Sequence, residues 1–225
     1  MFIFMGKQIS QVDGTTNTSS HDRILDAAEE EFSQNGFDGS GMKAIAQTAG
    51  VAQGLLHYHF GNKEKLYEAV IARRSSMISN AREAYLAEVD LNAPDALESI
   101  FTALYRPALE KEGGGRAYAI IFAGLAVSSE SSAELVRKYY DPTARLFIDA
   151  MRIAEPNTSK MMAAWSYTLA VGALVATIGH QGRRDRLTNT HQSNTNQTIE
   201  EQLRPLVVNA AGGFRALIKD NNTTT

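Results

Sequence analysis

The sequence predicts an all-α protein built from two helical domains. Apolar residues recur every three or four positions in almost every segment of the 225-residue chain, and no segment reads convincingly as a strand. Helix-boundary residues punctuate that pattern: Ser19 or Ser20, Asn62 and Asp141-Pro142 before apolar periods, and Gly36 and Gly50 after them. With 44% hydrophobic and 21% charged residues, the chain has the composition of one long globular domain or two short ones.

The same composition narrows the function. Cysteine is absent, which excludes a disulfide framework and thiolate chemistry and fits a reducing compartment. The opening MFIFMGKQIS does not read as a signal peptide. The longest apolar run, Leu169 to Ile178, is about half of the ~20 residues a membrane helix needs. The expectation is a cytoplasmic protein with no membrane partner. The net charge of −3 does not advertise nucleic acid, but local patches rather than totals govern phosphate contact.

Taken in order, residues 1–18 are polar without a period and read as a flexible arm. A first helix follows, with Ile24, Ala27, Ala28 and Phe32 on its inner face, ending at Gly36 with Phe37 packed behind. A short second helix covers about 42–48, with Ser40 as a possible cap, and Gly50 permits a tight turn. A third short helix covers about 53–58. Asn62 can cap a long fourth helix over 63–89. A boundary falls near Asp90 to Pro94, and helices then fill 90–219. Pro107 bends or ends one, Gly113 to Gly115 form a loop, and Ser131 or Ser132 caps a helix ending at Tyr140. Asp141-Pro142 starts the next, and two more close the chain over about 159–182 and 199–219. Arg183 to Thr198, rich in Asn, Thr and Gln, reads as a loop, and 220–225 as a flexible tail.

The stretch GVAQGLLHYHFGNKEKL, Gly50 to Leu66, carries the chemistry. His57 and His59 stand two residues apart and diverge by about 200° on a helix, so they do not share a metal. Helix, glycine turn, short helix is the layout of a helix-turn-helix. Ile45, Ala46, Ala49, Val51 and Leu56 can pack inward, which leaves Lys43, Gln53, Leu55, His57, Tyr58 and His59 outward and Lys63 in the first turn of the fourth helix. Glutamine can pair with an adenine edge, and Tyr, His and Lys can reach phosphate. From Gly41 to Arg74 the cations Lys43, Lys63, Lys65, Arg73 and Arg74 oppose Glu64 and Glu68, while the first helix is acidic. The bare pattern also fits ordinary packing of two short helices.

Residues 22–70 closely resemble the DNA-binding domain of the tetracycline-repressor (TetR/AcrR) family. The resemblance rests on ILDAA, on Phe32 with Gly36-Phe37, on the IAxxAGV run and on YHFGNKEKL. It implies a helix-turn-helix DNA-binding domain over 19–66, joined by the helix at 63–89 to an effector-binding and dimerisation domain over 90–219. It further implies a homodimer on double-stranded DNA with a palindromic operator, a repressor released by an unknown small-molecule effector. By matched positions, Lys43, Gln53, Leu55, His57, Tyr58, His59 and Lys63 meet the DNA. The chain departs from the family in having Ala52-Gln53-Gly54 where Ser-Lys-Gly is common, which removes a helix cap worth ~1 kcal/mol and one cation. Leu55 replaces a small or hydroxyl residue, and His57 a tyrosine.

Two further groups follow from the C-terminal half. Ala164, Thr168, Gly172 and Ala176 recur every fourth residue, and Leu203, Val207, Ala210, Phe214 and Leu217 form a seam at spacing four, three, four, three. With the family plan they are expected at a dimer interface. Tyr105, Phe122, Tyr140, Phe147, Met151, Trp165 and Tyr167 are candidates for an apolar effector pocket, set against plain core packing. No nucleophile elbow, metal-ligand helix or phosphate loop is present, so neither catalysis nor a cofactor or metal is expected. The alternative function is an effector-independent helical DNA-binding or architectural protein.

Overall fold

The computed structural model describes residues 19–110, 113–127, 130–179, 183–189 and 198–223. Among them the chain forms α-helices and no strand. The helices are α1 (Ser20–Gly39), α2 (Met42–Thr48), α3 (Gln53–Phe60), α4 (Lys63–Ala87), α5 (Ala96–Leu109), α6 (Gly115–Val127), α7 (Glu130–Tyr139), α8 (Asp141–Ala154), α9 (Lys160–Gly179), α10 (Arg183–Thr188) and α11 (Ile199–Thr223). The arm read over 1–18 lies outside the described residues.

Local chemistry explains most boundaries. Ser19 caps α1, its Oγ accepting from the Asp22 N–H at 3.1 Å. Gly36 leaves helical geometry at φ 70°, a conformation that glycine adopts without a Cβ penalty. The chain turns there, and Ser40 closes the break. Its hydroxyl donates to the Gly36 carbonyl at 2.6 Å and to that of Glu31 at 3.1 Å. Ser40 therefore seals the end of α1 and does not cap α2, whose N-cap is Gly41. Asn62 caps α4, accepting from the Lys65 N–H at 2.9 Å. Thr198 and Glu201 form a reciprocal capping box, at 3.0 and 3.2 Å, that starts α11. Other sequence readings also differ from the structure: Ser131 and Ser132, read as possible caps, lie inside α7. Arg183–Thr188 is a short helix within the stretch read as loop, and α11 continues to Thr223 into the stretch read as tail.

Two apolar cores result. The first joins Ile24, Phe32, Ile45, Leu56, Leu66 and Ile71 of α1 to α4 with Tyr118, Ile121, Leu125 and Tyr140 of the α6–α7 region. The second packs α5, α8, α9 and α11 around Phe101, Tyr105, Phe147, Met151, Leu174 and Phe214. Helix α5 lies against both α4 and α11, and α6 lies against both α1 and α9. The N-terminal helices thus rest directly on the C-terminal bundle through α4 and α6. A bidentate pair between Arg215 and Glu98, at 2.5 and 2.8 Å, ties α11 to α5.

Among the described residues, one helix, α9, is long and apolar enough to cross a membrane. Its inner row, Ala163, Ser166, Ala170, Leu174 and Ile178, is buried in the bundle. Its opposite row is exposed.

Candidate nucleic-acid interface

Helices α2 and α3 meet at an angle set by a glycine. Gly50 takes φ 64°, and the Val51 N–H donates to the Ala46 carbonyl at 3.0 Å, folding the chain back after α2. The small Ala46 and Ala49 let α3 approach, and Ile45, Leu56 and Phe60 close the space between the helices. Only Leu56 and Phe60 of α3 are buried. The other face carries Gln53, Leu55, His57, Tyr58 and His59, all exposed, with Tyr58 at 83%. Lys43 is exposed on the first turn of α2. Six of the seven sequence-chosen residues therefore stand on one open surface.

Within that surface, the side chains are partly ordered. His57 Nδ1 donates to the Gly61 carbonyl at 2.7 Å, since a carbonyl only accepts. A neutral His57 then has a free lone pair on Nε2, which lies 3.4 Å from the Gln53 amide nitrogen. This orients Gln53 with its amide N–H toward His57 and its Oε1 turned away. His59 points the other way, its Nε2 3.4 Å from the Ser20 hydroxyl and its ring edge-on to His21. The N-terminus of α1 and the C-terminal end of α3 are thus side by side.

The structure corrects two sequence expectations here. Lys63 is turned inward: its ammonium donates to the Phe37 carbonyl at 2.9 Å and the Ser40 carbonyl at 3.2 Å, and sits 4.5 Å from the Phe37 ring centroid. A cation satisfying carbonyls at the frayed end of α1 is favourable there and is held away from an external phosphate. Arg73 and Arg74 do not add to a basic DNA face, because Asp26 and Glu29 of α1 neutralise them. Arg23, at the N-terminal end of the first helix, where the sequence allows a backbone contact, is exposed, and its Nη1 lies 3.9 Å from where a Cβ on Gly50 would stand. The fold brings it to the α2–α3 turn. Helix α3 also lacks a side-chain cap: Ala52 has the extended geometry of a cap residue and no side chain to accept with.

The C-terminal candidates separate into three groups. Tyr105, Phe147 and Met151 are buried in the second core, with Tyr167 packed against it. Phe122 and Tyr140 belong to the first core, ring centroids 4.8 Å apart. Trp165 joins neither: it is 59% exposed on the outer row of α9, with Met161 and Leu169. Its position on the helix puts it opposite Ala163 and Ser166, so it cannot line an interior pocket. The predicted interface splits in the opposite sense. Thr168, Gly172 and Ala176 are exposed and Ala164 partly so, as an interface row requires. Leu203, Val207 and Phe214 are buried inside their own subunit, and Ala210 packs against the same core. Elsewhere on α11, Val208 is 62% exposed with Gly212 exposed one turn on, and Leu217, the last residue of the predicted seam, is 38% exposed. Apart from Leu217, the heptad-like seam in the sequence is the buried side of the helix, because α5 and α9 already cover it.

A helix-turn-helix with an open recognition face, set on an all-helical second domain, defines a DNA-binding transcriptional regulator. Residues 24–70 match the model described as "Bacterial regulatory proteins, tetR family", and residues 98–213 the one described as "Tetracyclin repressor-like, C-terminal domain". The chain belongs to the tetR family. It is 49% identical over 49 residues to the transcriptional regulator UidR of Escherichia coli, covering 22% of this chain and 25% of UidR. It is 38% identical over 76 residues to the regulatory protein RaaS of Mycobacterium tuberculosis, 34% of this chain and 35% of RaaS. The chain thus spans a quarter to a third of the length of these relatives. In three dimensions it is similar to a TetR-like regulator from Rhodococcus sp. RHA1, with TM-score 0.62 and 18% identity over 87% of this chain and 96% of the other.

Proposed function

We propose that this protein is a homodimeric, effector-responsive repressor that acts in the cytoplasm on a palindromic operator. The observation that carries this is the open face of α3, where Gln53, Leu55, His57, Tyr58 and His59 stand clear of the subunit while Leu56 and Phe60 anchor the helix. Gln53 reads an adenine edge, and Lys43, Tyr58, His59 and Arg23 hold the flanking phosphates. Leu55, about a third exposed, meets a thymine methyl. The second copy covers the outer rows of α9 and α11. A two-fold dimer then sets its two α3 helices roughly 34–36 Å apart to meet successive major grooves. A small molecule held in the C-terminal bundle favours another separation, and a difference of about 1–3 kcal/mol between the two states changes DNA affinity about 5–150-fold. No catalytic role is assigned.

The test is selection of DNA fragments from the source genome on the purified protein, followed by footprinting. A protected inverted repeat near a small set of genes, bound by a dimer, is the expected outcome. Failure to protect any site, including the DNA beside its own coding region, overturns the reading.

A further inference from the structure

Arg82 lies on the inner side of α4, where that helix crosses the second domain, and is only 8% exposed. Its Nε donates to the Leu104 carbonyl of α5 at 2.9 Å. Its two terminal nitrogens donate to no described residue, and it forms no ion pair among the described residues. Guanidinium carries five N–H donors, and a buried cation is normally paired and fully hydrogen-bonded. Those terminal nitrogens are not among the fully enclosed polar atoms that lack a partner, whereas a hydroxyl on the residue after Leu104 is. Tyr105 is fully buried, and its hydroxyl has no hydrogen-bond partner. Burial pushes the Tyr105 phenol well above the ordinary range, so it is a standing O–H donor, and the Arg82 charge works against that rise. Tyr118, Tyr140 and Tyr167 also feel the Arg82 charge. The Tyr118 and Tyr140 hydroxyls are bonded to each other, whereas the Tyr105 hydroxyl has no hydrogen-bond partner.

Resting on the regulator reading above, we propose that the effector is an organic anion, whose carboxylate is gripped by Arg82 and the Tyr105 hydroxyl. Its apolar body lies among the aromatic side chains of the bundle, Phe101 beside Tyr105 and Phe147 beside Tyr167. Two unused donors, one planar and charged and one neutral, match the two oxygens of a carboxylate. A neutral ligand would leave the guanidinium as it is and gain nothing from it. The placement also gives the signal a route, because Arg82 is on α4, the helix whose first turn follows the recognition helix.

The test is calorimetric titration of the full-length protein with acids and their matched alcohols: phenylbutyrate against phenylbutanol, and decanoate against decanol. At least one acid binds about tenfold or more tightly than its alcohol. Arg82→Met abolishes that preference, and its ligand-free protein melts at or above the wild-type temperature, because an unpaired buried charge is replaced by an apolar chain. Tyr105→Phe weakens the acid several-fold and leaves the melting temperature unchanged. Equal binding of acid and alcohol overturns the proposal, as does no binding of either acid. So does an Arg82→Met protein that melts well below wild type. Operator binding by the same ligand-free samples reports separately: wild-type protein that prefers the acid yet binds no DNA refutes the regulator reading and leaves the anion site standing.

Discussion

Glu29 on α1 is held by Arg74 on α4, the guanidinium Nε lying 2.8 Å from one carboxylate oxygen while the side chain of Glu29 is only 6% exposed. Arg73 adds a contact to the other oxygen at 3.0 Å and reaches Asp26 at 2.8 Å. Beside this cluster, a Cβ on Gly114 would fall 3.1 Å from Arg74 Nε and 2.8 Å from Tyr118 Cβ. The start of α6 is therefore seated on the ion pair that joins the DNA-binding helices to α4. Removing the carboxylate takes from two partly buried guanidiniums the acceptor they share, Arg73 keeping its contact with Asp26. Glu29→Ala is expected to destabilise the protein by about 3–5 kcal/mol in urea unfolding, the range for breaking a buried pair. A change below ~1 kcal/mol would show that solvent reaches the pair freely.

Helix α3 offers a change in the other direction. Ala52 has φ −68° and ψ 139°, cap geometry without a cap. Ala52→Ser supplies an oxygen for the orphan N–H groups at the start of the recognition helix. It is expected to stabilise the protein by about 0.5–1 kcal/mol in denaturant titration, with operator affinity equal to or better than wild type. A fall in stability would mean that the turn cannot accept the side chain.

Lys43 and Lys63 look equivalent in the sequence and are not. Lys43 is exposed on α2, and Lys63 donates to two carbonyls at the end of α1. Lys43→Ala is expected to weaken operator binding and to lower the slope of log affinity against log salt by about one. Lys63→Ala is expected to reduce stability by about 1–2 kcal/mol, because hydrogen bonds to a charged donor are lost, with that salt slope unchanged. Salt-titrated DNA binding beside urea unfolding separates the two.

This contrast shows what the sequence can and cannot carry. Periodicity and turn glycines place α1 to α4 nearly to the residue, because Gly36, Gly50 and Asn62 each impose a local geometry. The exposure of Gln53 and Tyr58 follows from the same helical spacing. Lys63 was misread because its partners, Phe37 and Ser40, are more than twenty residues away in the chain. Trp165 and Phe214 were misread for a related reason. A stripe of apolar residues is legible in one dimension, but which stripe meets its own subunit depends on where α5 and α9 pack. Arg82 gave no sequence signal, since its meaning lies in the lack of an ion pair among the described residues.

The Arg215–Glu98 pair makes stability depend on pH. The hydrogen bond from Arg215 holds the Glu98 carboxyl below its ordinary value of 4.5. A lowered folded-state pKa means that the pair stabilises above the unfolded value and is lost as pH falls through the folded one. The two side chains are 39% and 36% exposed, so solvent screening limits the effect to about 1 kcal/mol or less. Wild type is expected to exceed Glu98→Gln by that amount near neutrality, and the difference is expected to vanish as pH falls below about 4. Equal stabilities at neutral pH would show that the pair contributes nothing net.

The outer row of α9 supplies the last prediction. Met161, Trp165 and Leu169 are 68%, 59% and 59% exposed, and Val208 on α11 is 62% exposed. Gly172 and Gly212 have no neighbour within 4 Å of a Cβ position, so a facing helix could approach closely at both. Large apolar side chains in one contiguous exposed row are what an obligate helical interface leaves behind when its partner is removed. Trp165 is the single tryptophan and so reports on this face alone. Its emission is expected to be blue-shifted at micromolar concentration and to move to the red on dilution. Leu169→Glu places a charge in the seam. It is expected to give a folded monomer by analytical ultracentrifugation, red-shifted at every concentration, with operator affinity reduced about a hundredfold or more as two-site contact is lost. A Leu169→Glu protein that stays dimeric would place the interface elsewhere on the bundle.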